Sequence, residues 1–331
     1  MATKQPTGLP ETPQLSPKDL PALMASTLFW RGKRLGQKGI LLEAQAGVSE
    51  SYAPLFFVGY EKTIAENLDP RFPIYIFPGG IIPQDPTTYI AALAKCYVEE
   101  ILSVQSTGPY FLGGYCFGGL VAFEMAQQLQ AQGHEVAWLT IIDIGCPTLR
   151  YLKYRSTVVS FCRTYYKVLG RHIDHMVKRW SFHIKQLSQR HPFNWPSYLF
   201  KRAPATREPI ASKMQKTSEQ PKDTKASSFR KSKRVELWQA LKLAIQSYQP
   251  RPYSGKVELA FSTDFMRNAM KYPGGTVVRD PIFFPTADWD KIVSEKVSVH
   301  HVPGDHASIL DLPNIQTLAQ SLNRSLSMMH S

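Results

Sequence analysis

No run in this chain reaches the ~20 consecutive apolar residues that a helix needs to cross a bilayer, so a membrane-spanning helix is not expected. Cysteine is scarce. The four present in 331 residues (Cys96, Cys116, Cys146, Cys162) have no metal-like spacing. That argues against a zinc module and against a disulfide framework, and it suits a reducing compartment. The first residues, Met1-Ala-Thr-Lys-Gln-Pro, lack an apolar secretory segment, so a cytoplasmic location is expected. There is no internal repeat, which excludes a solenoid. Acids are nearly missing from one stretch: residues 151–234 hold 20 of the 39 Lys and Arg but only Asp174, Glu208, Glu219 and Asp223. That stretch nets +16 and the remainder −3, so the overall +13 belongs to one segment.

What is present can build a large core, since 43% of the residues are hydrophobic. The start, to about residue 50, is mixed and Pro- and Thr-rich, and reads as an N-terminal extension that is partly disordered. Leu20 to Leu35 could form a short helix carrying Phe29 and Trp30. Apolar runs at Ala53–Gly59, Phe72–Phe77, Pro109–Gly114, Glu135–Asp143, Gly255–Phe261 and Val297–Val302 read as buried strands. Helical spacing covers 87–106, 120–132 (with Gly133 as the C-cap), 235–248 and 314–326. Alternating short apolar strands and helices predict an α/β fold: a mostly parallel central sheet covered by helices on both faces. Segments 51–147 and 235–331 form the core of this reading. The 148–234 insertion lies over the carboxyl edge of the sheet, where such folds place their sites. Within it, 203–233 is rich in Pro, Ser, Thr, Lys and Gln and reads as a mobile loop or disordered.

The chemistry concentrates at Gly114-Tyr-Cys-Phe-Gly-Gly119. A strand leads into it and a helix leaves it, which are the parts of a nucleophile elbow. Cys116 is the candidate nucleophile, at a helix N-terminus that stabilises a thiolate. The alternative is a small buried hydrophobe, as cysteine often is. His306 follows a strand and the Pro303-Gly304-Asp305 turn, and is the candidate base. His300 and His301 are rivals lying inside the strand, one on each face. Two acids compete to orient the histidine: Asp143, ending the strand after the elbow helix, and Asp264, one strand later. Spacing leaves these two close. The oxyanion hole would use the Phe117 N–H and a second N–H from the loop after the first strand, near Tyr60 or Glu61. Cys96 reads as core, and Cys146 either lines the site or packs. His172 and His175 have no Glu or Cys partner at metal-site spacing, so no metal is expected. Aromatic residues among the basics (Tyr165-Tyr166-Lys167, Arg179-Trp180) are not joined by any nucleic-acid-binding motif, and no nucleic-acid partner is expected.

Three stretches carry a likeness: Gly108–Ala126, Gly133–Asp143 and Val302–His306. Through them the chain resembles the thioesterase domains of nonribosomal peptide and polyketide synthases, of the α/β-hydrolase fold. The likeness runs over about 55–147 and 236–325. It implies the nucleophile at Cys116, the acid at Asp143 with Asp264 as runner-up, and the histidine at His306. It also implies a helical lid in the 148–234 insertion. The implied substrate is an acyl or peptidyl group presented on the phosphopantetheine arm of a carrier protein, with no bound cofactor. Two departures stand out. Most members have serine where this chain has Cys116, and a His-Pro-x-Gly-Gly type stretch where it has Gly59-Tyr60-Glu61-Lys62.

Sulfur changes the expected course. Loading from a carrier becomes thioester exchange, nearly thermoneutral, and the acyl group stays activated. Release to water, an amine or a hydroxyl is then open, as is return to another carrier thiol. The basic insertion would meet a phosphate-bearing or acidic carrier, or be simply solvated. Competing readings are a trans-acting acyl shuttle, an ester or lipid hydrolase, and a non-catalytic carrier-binding scaffold.

Overall fold

The computed structural model describes residues 12–28, 30, 32–48, 52–59, 62–147, 224–264 and 289–329. Tyr60, Glu61, Phe29, Cys162, His172, His175 and residues 148–223 of the lid expected over 148–234 lie outside the described residues. The chain divides into two units, Met1–Tyr165 with Glu236–Ser331, and Tyr166–Val235.

The described residues form an eight-stranded sheet: β1 (Arg34–Leu35), β2 (Leu41–Gln45), β3 (Leu55–Val58), β4 (Ile74–Phe77), β5 (Tyr110–Tyr115), β6 (Val136–Ile142), β7 (Val257–Ser262) and β8 (Ser298–Val302). Their order is β1-β2-β4-β3-β5-β6-β7-β8. From β4 to β8 every neighbour is parallel, while β2 runs antiparallel to β4, and β1 to β2. Every side chain of β3 and β5 is buried, as parallel strands covered on both faces require.

The helices are α1 (Asp19–Ser26), α2 (Lys62–Asn67), α3 (Tyr89–Val104), α4 (Phe117–Ala131), α5 (Thr224–Ser247) and α6 (Asn314–Met329). The helix α3 packs with α4, and α2 with α6. Residues 117–129 of α4 are all buried, the mark of a helix enclosed on every side. Its end is a Schellman turn: Gly133, at φ 82°, donates to Gln130 and His134 donates to Leu129. This is the α/β-hydrolase fold.

Three readings of the sequence need correction. The Leu20–Leu35 stretch is not one helix: α1 stops at Ser26, and Arg34–Leu35 is an edge strand of a hairpin with β2. Gly36, at φ 77°, and Gly39, at φ 63°, turn the chain there, a conformation that side chains with a Cβ resist. The buried Glu100 carboxylate receives the Lys38 N–H at 2.9 and 3.0 Å and fixes that turn to α3. Second, α5 begins at Thr224, inside the stretch read as loop. Residues 224–234 contain no Pro or Gly, so nothing stops the helix from extending. Third, α2 and a 3-10 turn at Trp289–Lys291 went unread because each is too short for a periodic signal.

The sheet order reverses between β3 and β5. The crevice at the carboxyl ends of those strands is where open α/β sheets bind ligands. Cys116 leaves β5 at that point.

Candidate active site

Cys116 takes φ 56°, ψ −127°, a left-handed backbone that residues with a Cβ rarely adopt. Strain of this kind persists where the surroundings over-determine it. Here the Cys116 N–H donates to the Ile142 carbonyl at 2.8 Å, and its own carbonyl accepts from Gly119 at 2.9 Å. The flanking glycines are steric necessities. A Cβ on Gly114 would strike the Gly118 carbonyl, and one on Gly118 would strike the Val58 carbonyl. The strand-to-helix turn therefore closes against the end of β3. Cys116 is the N-cap of α4, so the positive end of that helix points at the residue.

Phe117 opens α4 and is buried. Its ring stacks on Tyr89 with centroids 6.0 Å apart. The Tyr89 hydroxyl accepts the Ile81 N–H at 3.0 Å, and the Tyr97 hydroxyl donates to the Pro78 carbonyl at 2.6 Å. These contacts hold the segment after β4 beside the elbow.

His306 and Asp143 come together. Nδ1 of His306 lies 2.6 Å from Oδ2 of Asp143, and both residues are buried. Asp143 also has a positive φ of 56°. Its N–H donates to Ala260 at 2.7 Å. Its Oδ1 accepts the Ser262 N–H at 2.7 Å and its Oδ2 faces the Ser262 hydroxyl at 3.2 Å. The other candidate acid, Asp264, sits at the end of β7, where its N–H donates to the Gly304 carbonyl at 3.0 Å. Asp143 is the carboxylate that meets Nδ1 of His306.

The loop carrying His306 is built by Asp305. Its Oδ1 accepts the N–H groups of Ala307 and Ser308 at 3.0 and 2.8 Å and the Ser308 hydroxyl at 2.8 Å. Burial pushes the Asp305 carboxyl up, but the Ser308 and Ala307 donors and the nearby His306 outweigh it and hold the carboxyl below its usual range. The rival histidines lie elsewhere. His301 is exposed, and His300 pairs with Glu258 at 3.4 Å.

Two residues of this arrangement were not singled out in the sequence. Ser262 ends β7, and a polar residue closing an apolar strand was its one signal. Tyr115 precedes the nucleophile, and its ring stacks on the His306 imidazole (centroids 5.0 Å apart, 24° between planes). Its hydroxyl donates to the His306 carbonyl. Cys96 is core as expected, and burial pushes its thiol up to about 12. Cys146 is buried. Among the described residues no three His, Cys, Asp or Glu side chains gather as a metal site, and no helix is long and apolar enough to cross a membrane.

Residues 62–157 match the family model of the thioesterase domain. The chain is 42% identical over 65 residues to a non-reducing polyketide synthase of Pseudevernia furfuracea, covering 20% of this chain and 3% of that one. It is 38% identical over 100 residues to atromentin synthetase of Suillus grevillei (28% and 10%). It is 26% identical over 293 residues to chondramide synthase of Chondromyces crocatus (82% and 6%). The chain thus spans a tenth or less of the length of these relatives. In fold it is similar to a four-domain nonribosomal peptide synthetase crystallised with AMP and glycine. That likeness has a TM-score of 0.54 at 19% identity, over 86% of this chain and 20% of the other. Over residues 62–157 the chain is thus similar to a thioesterase domain, and its sheet has the α/β-hydrolase arrangement.

Proposed function

We propose that this protein is a cysteine-dependent thioesterase or acyltransferase. In this reading it takes an acyl or peptidyl group from the phosphopantetheine thioester of a carrier protein onto Cys116. The observation that carries it is the elbow itself: a strained cysteine at a helix N-terminus, in a sheet that also brings His306 onto Asp143.

The course has two halves. With Nδ1 of His306 committed to Asp143, proton transfer falls to Nε2. Nε2 takes the Cys116 proton and the sulfur attacks the thioester carbonyl. The Phe117 N–H would stabilise the developing oxyanion, with a second donor expected from the loop after the first strand. The bond to the carrier sulfur breaks, and His306 returns the proton to that leaving thiolate. Water, an amine or a hydroxyl then gives its proton to His306 and attacks the acyl-enzyme, and Cys116 leaves as the thiol. The acyl group is a thioester before and after loading, so loading is close to energetically neutral. The intermediate stays reactive enough to form an amide or lactam, or to pass to a second carrier.

Incubation with an acylated carrier mimic is the test. Intact mass should rise by the acyl group, the added mass should map to Cys116, and Cys116→Ala should show none. A folded wild-type protein that never acquires the adduct would instead be a carrier-binding scaffold. Faster turnover of free esters than of carrier thioesters would make it an ester hydrolase.

A further inference from the structure

The reading above uses Cys116, Asp143, His306 and main-chain donors. It leaves Tyr115 without a task, although that residue touches His306 twice. Tyr115 is the last residue of β5, opposite Ile142 in the register with β6, and is 7% exposed. Its position is therefore set by the same ladder that sets Cys116 on one side and Asp143 on the other.

We propose that Tyr115 is the positioning residue for His306. Its ring face holds the imidazolium that forms when Cys116 gives up its proton, and its hydroxyl holds the backbone of the His306 loop in register with the elbow. The geometry fits both parts. A cation within about 6 Å of an aromatic centroid is attracted by the ring's negative face, and the imidazole centroid lies 5.0 Å from that of Tyr115 in near-parallel planes. The hydroxyl bond to the His306 carbonyl joins residues 191 apart in sequence, across β5 and the loop after β8. A buried tyrosine hydroxyl needs a partner, and the partner here is the main chain of the base. Asp143 meets Nδ1 of His306 and the charged Asp305 lies in the same loop, while Cys116 is the group that the proposed function pairs with it. Asp143 fixes the ring from its edge. Tyr115 fixes it from its face, so the ring cannot swing about the Asp143 contact. The result is a ring held in place to receive the proton that Cys116 gives up.

This rests on the Cys116–His306 pairing, and the experiment separates the two. The rate of iodoacetamide alkylation at Cys116 is followed by peptide mass from pH 5 to 10 in the full chain. A thiolate paired with imidazolium gives a plateau near neutral pH. A second rise at high pH follows, where the thiolate forms without help. Tyr115→Leu should lower the plateau at least ~5-fold relative to its own high-pH limb. Normalising to that limb removes any general change in access to Cys116. Tyr115→Phe keeps the ring and should keep the plateau, but should lower kcat about threefold at unchanged KM by releasing the His306 carbonyl. A Tyr115→Leu plateau equal to wild type, an equal plateau loss in Tyr115→Phe, or a Tyr115→Phe kcat at the wild-type level overturns the proposal. A wild-type profile with no neutral plateau overturns the Cys116–His306 reading instead.

Discussion

At the residue scale, the site depends on a few atoms whose roles can be separated by substitution. Replacing Asp143 by Asn leaves the Ser262 N–H bonded to the side-chain oxygen but presents an amide donor where His306 Nδ1–H needs an acceptor, so the imidazole is held in the wrong tautomer. Loading of a carrier mimic by Asp143→Asn should fall by about 10³–10⁴-fold, whereas Asp264→Asn should cost less than about threefold. Comparable losses in the two variants, measured as pre-steady-state acylation rates, would return the acid role to Asp264. Cys116→Ser tests the sulfur separately. Loading should slow and the product should leave mainly by hydrolysis, because an oxygen ester lacks the reactivity toward amines that the thioester keeps. The strand-to-helix turn at Cys116 and the loop that carries His306 were legible in the sequence because glycine spacing and a strand-turn-histidine pattern are local signals. The choice of Asp143 over Asp264 was not, since both close apolar strands. What favours Asp143 is a contact with His306, 163 residues away in sequence. Tyr115 and Ser262 were illegible for the same reason: an aromatic beside a nucleophile and a serine ending a strand look ordinary until the sheet folds.

At the element scale, α4 is the part that ties the elbow to the rest of its layer. Two turns beyond the nucleophile its Glu124 is buried, and it accepts from the Tyr248 hydroxyl at 2.9 Å and from Gln128 at 2.9 Å. Gln127 of α4 donates to the Arg251 carbonyl and faces the same Tyr248 hydroxyl at 3.3 Å. Tyr248 thus joins the residues just after α5 to the middle of α4. Burial, then the neighbouring Glu124, pushes its phenol well above the ordinary tyrosine range. A raised phenol pKa means that the folded protein holds its proton longer than the unfolded chain does. Stability from this group is intact below about pH 10, the unfolded value, and is lost as pH rises beyond it. Urea unfolding of Tyr248→Phe at pH 7 should cost about 1–3 kcal/mol, because Glu124 loses a buried donor. The alkaline fall in stability should be shallower in the variant than in wild type, and an equal slope above pH 10 would assign that fall to Cys96 and the other buried tyrosines. Helices α3 and α4 were read close to their bounds because their apolar spacing runs for about four turns and Gly133 closes α4. The β1–β2 hairpin was misread because its two-residue edge strand is half exposed, and its turn is fixed by Glu100, far along the chain.

At the scale of the whole molecule, the charge is unevenly placed along the chain. Residues 151–234 net +16 while everything else nets −3, so the field outside the protein is dominated by one segment. An acidic carrier would be drawn to that segment before any shape is recognised, whereas a small neutral thioester would not. Such steering acts on the encounter rate and weakens with salt, because the screening length shrinks from about 10 Å at 0.1 M to about 3 Å at 1 M. Acylation of Cys116 by a carrier-bound thioester should therefore slow by about tenfold or more between 0.05 M and 0.5 M sodium chloride. Acylation by a short, uncharged thioester of the same acyl group should change by less than about twofold. The ratio of the two rates isolates the charge from the chemistry, because both donors end on the same sulfur. If both rates fall in parallel, salt is acting on the elbow or on stability. If neither falls, the basic segment plays no part in recruiting the donor, and the carrier is recognised by its prosthetic arm alone.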